Sequence, residues 1–204
     1  FRQASHCQVP TNDLFEWVKN TYNIPAEKLS VVPNFVETDV FTPLSGIRKR
    51  ARSVISVGRL VPVKRFGLLI GACAGIPGAE LPLVGEGPEK SNLERQAKEC
   101  GVRLNLPGNI PNGDLPKIIQ EHAIFGITSE REGHPKALTE AMACGMPVLG
   151  VRAIGIQNII THKKNGWLAE PARESIAKGL SALFENPKLC SRLSATAREY
   201  ALRN

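Results

Sequence analysis

Ile124-Phe125-Gly126-Ile127-Thr128, then Glu132-Gly133-His134-Pro135-Lys136-Ala137-Leu138-Thr139-Glu140-Ala141-Met142-Ala143-Cys144-Gly145, then Val148-Leu149-Gly150-Val151: the pattern of this stretch sets the architecture. An apolar run of strand length is followed by a loop, a helical stretch over Ala137–Cys144 and a second apolar run. Short apolar runs bounded by polar residues, glycine or proline read as buried strands. Pro135 suits a helix start, and Gly145 stands where a helix would end. The unit is therefore strand, turn, helix, strand.

Working outward, the same unit repeats. Ser53–Val57, Leu81–Val84 and Val102–Leu106 are further predicted strands, and Phe66–Ala74, Glu89–Cys100 and Leu115–His122 are helical stretches. This alternation predicts an α/β fold, a Rossmann-like parallel sheet with helices on both faces. Arg173–Glu185 and Pro187–Leu202 read as closing helices, with Pro187 in a first turn where its missing N–H costs nothing. The first fifty residues do not share the rhythm. Phe1–His6 reads as the end of a strand, Asp13–Thr21 as a helix and Leu29–Val32 as a short strand. A Pro/Ser/Gly stretch, Thr42–Gly46, and the basic run Arg48, Lys49, Arg50 and Arg52 then lead into the first clear strand. With Phe1 rather than Met in first place, the chain is expected to continue a longer polypeptide.

With 204 residues, 42% hydrophobic and 22% charged, the chain has the composition of a globular domain able to bury a sizeable core. No apolar run approaches the roughly 18 to 20 residues needed to span a bilayer. The five cysteines are irregularly spaced, with no C-x-x-C and no histidine pair at ligand spacing. Neither a disulfide framework nor a zinc site is suggested, and reduced thiols in a cytoplasmic location are expected. A net charge of +7 favours anionic partners: nucleotides, anionic membrane surfaces or nucleic acid. Two Trp, two Tyr and no nucleic-acid motif argue against the last.

In an open parallel sheet, ligands bind where strands end and helices begin. Four such turns carry unusual residues. The turn Gly58–Arg65 places Arg59 and Lys64 at that edge. They either grip a diphosphate, at roughly 1.5–3 kcal/mol for each charge-assisted bond, or lie as solvated surface cations. Gly85-Glu86-Gly87-Pro88 permits close backbone approach but lacks the third glycine of a dinucleotide fingerprint. Leu106–Ile110 reads as a tight turn. At the fourth turn, the N–H groups of Lys136 and Ala137 would be free to meet a phosphate or carboxylate oxygen. Glu132 precedes that helix and Glu140 lies about one turn inside it, so the two carboxylates can flank one polyhydroxylated ligand. Leu138, Ala141 and Met142 put Glu140 on a partly buried face, where it needs a partner.

Together these residues resemble the family 4 retaining glycosyltransferases, built from two facing Rossmann-like domains (the GT-B fold). The family's two glutamates, separated by seven residues in the setting E-G-x-P…E-A-M-A-x-G-x-P-V, stand complete from Glu132 to Val148. Gly58-Arg59-Leu60…Lys64 is similar to its G-R-L-x-x-x-K segment, with Arg65 where a glycine usually follows. Val32-Pro33-Asn34-Phe35-Val36 resembles the V-P-N-G-V that opens the donor domain, and Gly85–Pro88, Gly155-Ile156 and Asn165-Gly166 fall in family order. The resemblance implies a nucleotide-sugar donor domain over residues 31–204. Residues 1–30 would be a remnant and linker from an N-terminal acceptor domain.

It also implies roles. Arg59 and Lys64 would bind the diphosphate and stabilise it as it leaves. Glu132 would contact a hydroxyl of the transferred sugar, and Glu140 the ribose hydroxyls. Gly58, Gly85 and the backbone from His134 through Pro135, Lys136 and Ala137 to Leu138 would approach phosphate or sugar, and Gly108, Asn109 and Ile110 the nucleobase. His134 stands where many members carry Phe, and would either stack or hydrogen-bond near the sugar or pack at the loop. Arg152-Ala153-Ile154-Gly155 has one glycine where many relatives have two, which bears on any close backbone contact there.

The implied reaction moves a sugar from a nucleotide diphosphate to a glycan or lipid-linked acceptor with retention at the anomeric carbon. A UDP-sugar is expected ahead of a GDP-sugar. No cofactor or metal is expected: the two cations take the electrostatic task, and no D-x-D occurs. The acceptor-binding domain is expected outside this chain, which alone would bind nucleotide without transferring sugar. Peripheral contact with an anionic membrane through Arg48–Arg52 is a further expectation. The rival readings are a non-catalytic nucleotide-sugar binding module and a sugar-nucleotide epimerase. A phosphorylase on the same fold would need a pyridoxal-bearing lysine context, which is missing.

Overall fold

The predicted alternation is realised as one parallel sheet. A computed structural model describes residues 4–204. The elements run β1 (Cys7–Val9), α1 (Asn12–Tyr22), β2 (Leu29–Val31), β3 (Arg50–Val57), α2 (Phe66–Ala74), β4 (Glu80–Val84), α3 (Lys90–Glu99), β5 (Arg103–Gly108), α4 (Leu115–Gln120), β6 (His122–Ile127), α5 (Lys136–Ala143), β7 (Val148–Val151), β8 (Trp167–Ala169), α6 (Arg173–Glu185) and α7 (Pro187–Arg203). Strands β3 to β8 form a six-stranded sheet in the order β5-β4-β3-β6-β7-β8, every pair parallel.

The chain winds outward from β3 to β5, crosses back to lay β6 beside β3, and winds the other way. Crossovers between parallel strands are right-handed, so this reversal puts the helices on opposite faces. Accordingly α2 packs with α3 and α6, whereas α5 packs with α4 and α7. The reversal also opens a crevice between the carboxyl ends of β3 and β6, where such sheets bind their ligands. The inner strands are covered on both sides. Val54, Ile55, Leu81, Leu83, Ile124, Phe125, Val148 and Leu149 are fully buried, which is why these strands read as continuous apolar runs. Each such side chain contributes roughly 1.5–3 kcal/mol by leaving water.

Several boundaries differ from the sequence expectations. β3 begins at Arg50 rather than Ser53, so half of the basic run is strand. Arg50 pairs with Glu80 at 3.6 Å, and Arg52 Nη1 donates to Pro77 O at 3.1 Å. The helix expected to reach His122 stops at Gln120, and His122 opens β6. A buried histidine breaks the apolar pattern of that strand, and its polarity is met by Ser53, whose Oγ lies 2.7 Å from Nδ1. β8, three residues long, was too short to show a period. Of the strand end expected at Phe1–His6, Phe1 to Gln3 lie outside the described residues, Ala4 to His6 are not strand, and the strand described there is Cys7–Val9. The five cysteines are free thiols, with Cys73 and Cys144 pushed up to about 12 by burial.

The amino-terminal unit is small. β1 and β2 pair in parallel and α1 joins them, with Thr11 capping α1 by accepting from Leu14 N at 3.2 Å. Val9, Val18, Ile24 and Leu29 form its own apolar cluster. The segment after it runs back across the large domain and is fastened by Gln120. Gln120 Nε2 donates to Thr42 O at 3.0 Å, and its Oε1 accepts from Leu44 N at 2.8 Å.

Candidate active site

The crevice at the ends of β3 and β6 holds a cavity of about 300 Å³, closed on its third side by the first turn of α5. One of its two lysines, Lys64, comes from the turn after β3. There a short 3-10 turn, Pro62–Lys64, is followed by Arg65 in the left-handed conformation, φ 50°. Thr128, just past β6, places its hydroxyl 3.0 Å from Lys64 O and 3.1 Å from Arg65 O. Glu130 N donates to Val63 O at 2.8 Å. These bonds tie the turn to the β6 loop and fix the direction in which Lys64 leaves the backbone.

Lys64 Nζ meets Glu132 Oε1 at 2.6 Å, and Ser129 Oγ donates to the same oxygen at 2.6 Å. The two ionised side chains are only 23% and 14% exposed, so the pair is held away from bulk water and is little screened. Glu132 is placed by its own backbone as well, its N–H donating to Ile154 O at 3.0 Å.

On α5, Pro135 is the N-cap and Lys136 and Ala137 the first two helical residues, whose N–H groups have no intrahelical acceptor. Both line the cavity. Glu140 is buried at 5% exposure, one turn further in. Burial raises its carboxyl above the ordinary range, Lys136 lowers it and Glu37 raises it further. Lys136 is the partner that a buried carboxylate needs: its Nζ lies 3.9 Å from Glu140 Oε1 and 6.0 Å from the centre of the Phe35 ring. His134 also lines the cavity. Its carbonyl accepts from Asn34 Nδ2 at 2.7 Å, and burial lowers its ring below the ordinary value. Its Nδ1 is enclosed and has no hydrogen-bond partner among the described residues.

The structure thus brings Gly58, Lys64, Glu132, His134, Pro135, Lys136, Ala137 and Glu140 around one cavity. Arg59 is exposed on the turn that carries Lys64. Gly85, Gly108, Asn109 and Ile110 lie beside the cavity instead of in it. Gly58 N donates to Val84 O and Gly85 N to Gly108 O, at 2.9 and 2.8 Å, so the three glycine turns stack along the edge of the sheet. A Cβ on Gly85, with φ 135°, would stand 2.2 Å from Gly58 O, so this stacking already requires glycine there. Leu138 is fully buried and its N–H donates to Pro135 O at 3.0 Å. Ser129 was missed, although a hydroxyl three residues before Glu132 was a visible signal. Ser56 and Phe66, which also line the cavity, sit in runs that read only as core. Among the described residues no three His, Cys, Asp or Glu side chains converge to hold a metal ion.

Comparison with known proteins gives this geometry a family. The family described as "Glycosyl transferases group 1" matches residues 41–200. An uncharacterized glycosyltransferase of Haemophilus influenzae is 30% identical over 153 residues, 72% of this chain and 43% of that protein. The amylovoran biosynthesis glycosyltransferase AmsK of Erwinia amylovora is 29% identical over 189 residues, 86% of this chain and 46% of that protein. The chain thus spans less than half the length of these relatives. Among solved structures, Anabaena HepE in complex with UDP and glucose superposes with a TM-score of 0.89 at 22% identity, covering 99% of this chain and 59% of that one. That likeness confirms the fold. Residues 41–200 contain the whole six-stranded sheet and every wall of the 300 Å³ cavity, so the match falls on the part of the chain that carries the chemistry, and this protein belongs to the group 1 glycosyl transferases.

Proposed function

We propose that the cavity at the ends of β3 and β6 binds a nucleoside diphosphate sugar, a UDP-sugar ahead of a GDP-sugar, and that the chain is the donor-binding half of a retaining transferase. The observation that carries this reading is the meeting of a helix N-terminus, two lysines and two carboxylates in a single cavity. Those are the complements of a diphosphate flanked by two polyhydroxylated groups. Lys64 and Arg59 take the diphosphate, Glu140 the ribose hydroxyls and Glu132 a sugar hydroxyl, while the His134–Ala137 backbone meets phosphate or sugar. Gly108–Ile110 lie where the nucleobase would extend. The UDP and glucose bound to HepE support uridine as the base.

The Lys64–Glu132 pair then has a defined task. Without ligand the two neutralise each other at 2.6 Å. A diphosphate offers Lys64 more negative charge than one carboxylate, so the ammonium turns to it and Glu132 is released to the sugar. Lys64 stabilises the leaving group as charge builds on it. The bond between the anomeric carbon and the diphosphate oxygen breaks with its electron pair. The acceptor oxygen attacks from the same face, and its proton passes to the departing diphosphate. No metal takes part in this reading. A cytoplasmic location, with the Arg48–Arg52 run meeting an anionic membrane, completes it. Arg50 and Arg52 of that run lie at the amino end of β3, about 15–25 Å from the cavity at the strand's rise per residue.

Titration calorimetry with UDP, GDP and ADP tests the reading. UDP should bind best, and Glu140→Gln should weaken it about tenfold, equivalent to about 1.4 kcal/mol. Failure of all three nucleotides to bind would overturn it. In the complete protein, Glu132→Ala should abolish transfer and spare nucleotide affinity, which would argue against a non-catalytic binding module; transfer that survives this change would remove Glu132 from the chemistry.

A further inference from the structure

Glu132 Oε1 accepts from two donors at once, Lys64 Nζ and Ser129 Oγ, each at 2.6 Å. A diphosphate acts on these donors differently. The ammonium stands at the end of a flexible stem and carries the charge that an anion attracts. The hydroxyl is neutral and one carbon from the backbone, so it neither swings nor is drawn away. Loading the cavity therefore parts the two: Lys64 turns to the diphosphate and Ser129 stays. Glu132 is only 14% exposed, and an enclosed carboxylate with no partner is costly. When the ligand brings no sugar hydroxyl to it, Ser129 is the donor left.

The segment after β6 is built for this division. Thr128 and Ser129 are adjacent hydroxyls, each 1% exposed. Thr128 Oγ1 donates to Lys64 O at 3.0 Å, which holds the backbone of the turn and leaves the ammonium free. Ser129 holds the carboxylate. Glu130 N donates to Val63 O at 2.8 Å and Glu132 N to Ile154 O at 3.0 Å. The segment Thr128–Glu132 thus fixes both backbones and leaves the Lys64 stem as the part that moves. Among the described residues none hydrogen-bonds the second carboxylate oxygen, Oε2. That oxygen stays open to a sugar while Oε1 is anchored.

We propose that Ser129 is a positioning residue for donor binding: its hydroxyl holds the Glu132 carboxylate in place when Lys64 transfers to the diphosphate. The inference rests on the donor reading of the cavity and deepens it, because it names the group that makes the exchange of partners possible. Ser129 acts through Glu132 and not on the diphosphate.

A double-mutant cycle read by titration calorimetry with UDP tests it. Ser129→Ala should weaken UDP about tenfold, because it removes a hydrogen bond to a charged group that matters more in the loaded state than in the empty one. Ser129→Cys, a weaker donor of nearly the same shape, should weaken UDP as well. In a Glu132→Ala background the change Ser129→Ala should cost less than about twofold, since the group it serves is gone. UDP affinity unchanged in both Ser129→Ala and Ser129→Cys overturns the proposal. A loss that persists undiminished in the Glu132→Ala background overturns it equally, because Ser129 then acts through the shape of the loop. In both cases UDP still binds the unaltered protein and the donor reading stands. Failure of UDP to bind the unaltered protein removes the premise, and this inference with it.

Discussion

Replacing Gly155 by alanine should damage the donor cavity without altering any residue that lines it. Gly155 adopts φ 81°, and a Cβ there would stand 2.2 Å from Glu132 O and 2.9 Å from Gly133 O. Ordinary contact begins near 3.4 Å, so the Glu132 carbonyl would have to retreat by about 1.2 Å. The left-handed backbone costs alanine about 1–2 kcal/mol. The retreat also strains the 3.0 Å bond from Glu132 N to Ile154 O, worth about 0.5–1.5 kcal/mol. The loss should total about 2–3 kcal/mol, lowering Tm by about 5–10 °C at roughly 2–4 °C per kcal/mol for a chain of this size. Because the shifted loop carries the carboxylate that faces the sugar, UDP-glucose affinity should fall about tenfold, equivalent to about 1.4 kcal/mol. Calorimetric unfolding and titration of the parent and Gly155→Ala measure both. A variant within about 0.5 kcal/mol of the parent, with unchanged affinity, would refute the reasoning. The single glycine of Arg152–Gly155 would then be dispensable.

Other expectations are independent of this one. Lys64→Met leaves the Glu132 carboxylate with Ser129 alone, and should cost about 1–3 kcal/mol in urea unfolding. Adding Glu132→Gln should recover most of the loss, and no recovery would show that the pair is not the cause. His122 is held down to about 4, by burial first and Arg50 second, with Glu80 opposing. Its folded pKa is depressed, so the stability it contributes is complete above its ordinary 6.5 and is lost as pH falls from there through about 4. The loss amounts to about 3 kcal/mol. Unfolding free energies at neutral pH and near the folded pKa should differ by that much in the parent and by less in His122→Gln. Arg65→Gly relieves the left-handed backbone at φ 50° and should raise stability by about 1 kcal/mol. A lower Tm would show that the Arg65 side chain contributes more than the strain it stores.

The inner strands were legible because burial on both faces makes Ser53–Val57, Leu81–Val84, Ile124–Thr128 and Val148–Val151 continuous apolar runs. His122 was assigned to a helix because a polar residue beside a helical stretch carries no strand signal; what lets it stand in a strand is Ser53, 69 residues away. The same distinction divides the site. Glu132, Lys136 and Glu140 belong to one strand-to-helix turn, so their spacing shows the arrangement. Asn34 and Phe35 reach that turn from 100 or more residues away, and no local pattern announces such contacts. The glycines at 85 and 108 were visible as turns, but only the stacking of neighbouring turns shows that one sheet edge demands them.

The β1–α1–β2 unit buries only four apolar residues of its own, too few to keep two strands folded alone. Its order is borrowed through attachments that include Asn158 to Asp13, Asn34 to the His134 carbonyl, and Pro10 and Leu14 against Gly133. These reach the loops and turns around Glu132, on which the 300 Å³ cavity depends. Amide exchange in β1 and β2 is therefore governed by opening of the unit from that surface and not by global unfolding. By linkage, a ligand that stiffens the Glu132–Pro135 loop must slow this exchange, and whatever clamps the unit in place must tighten the hold on the ligand by the same factor.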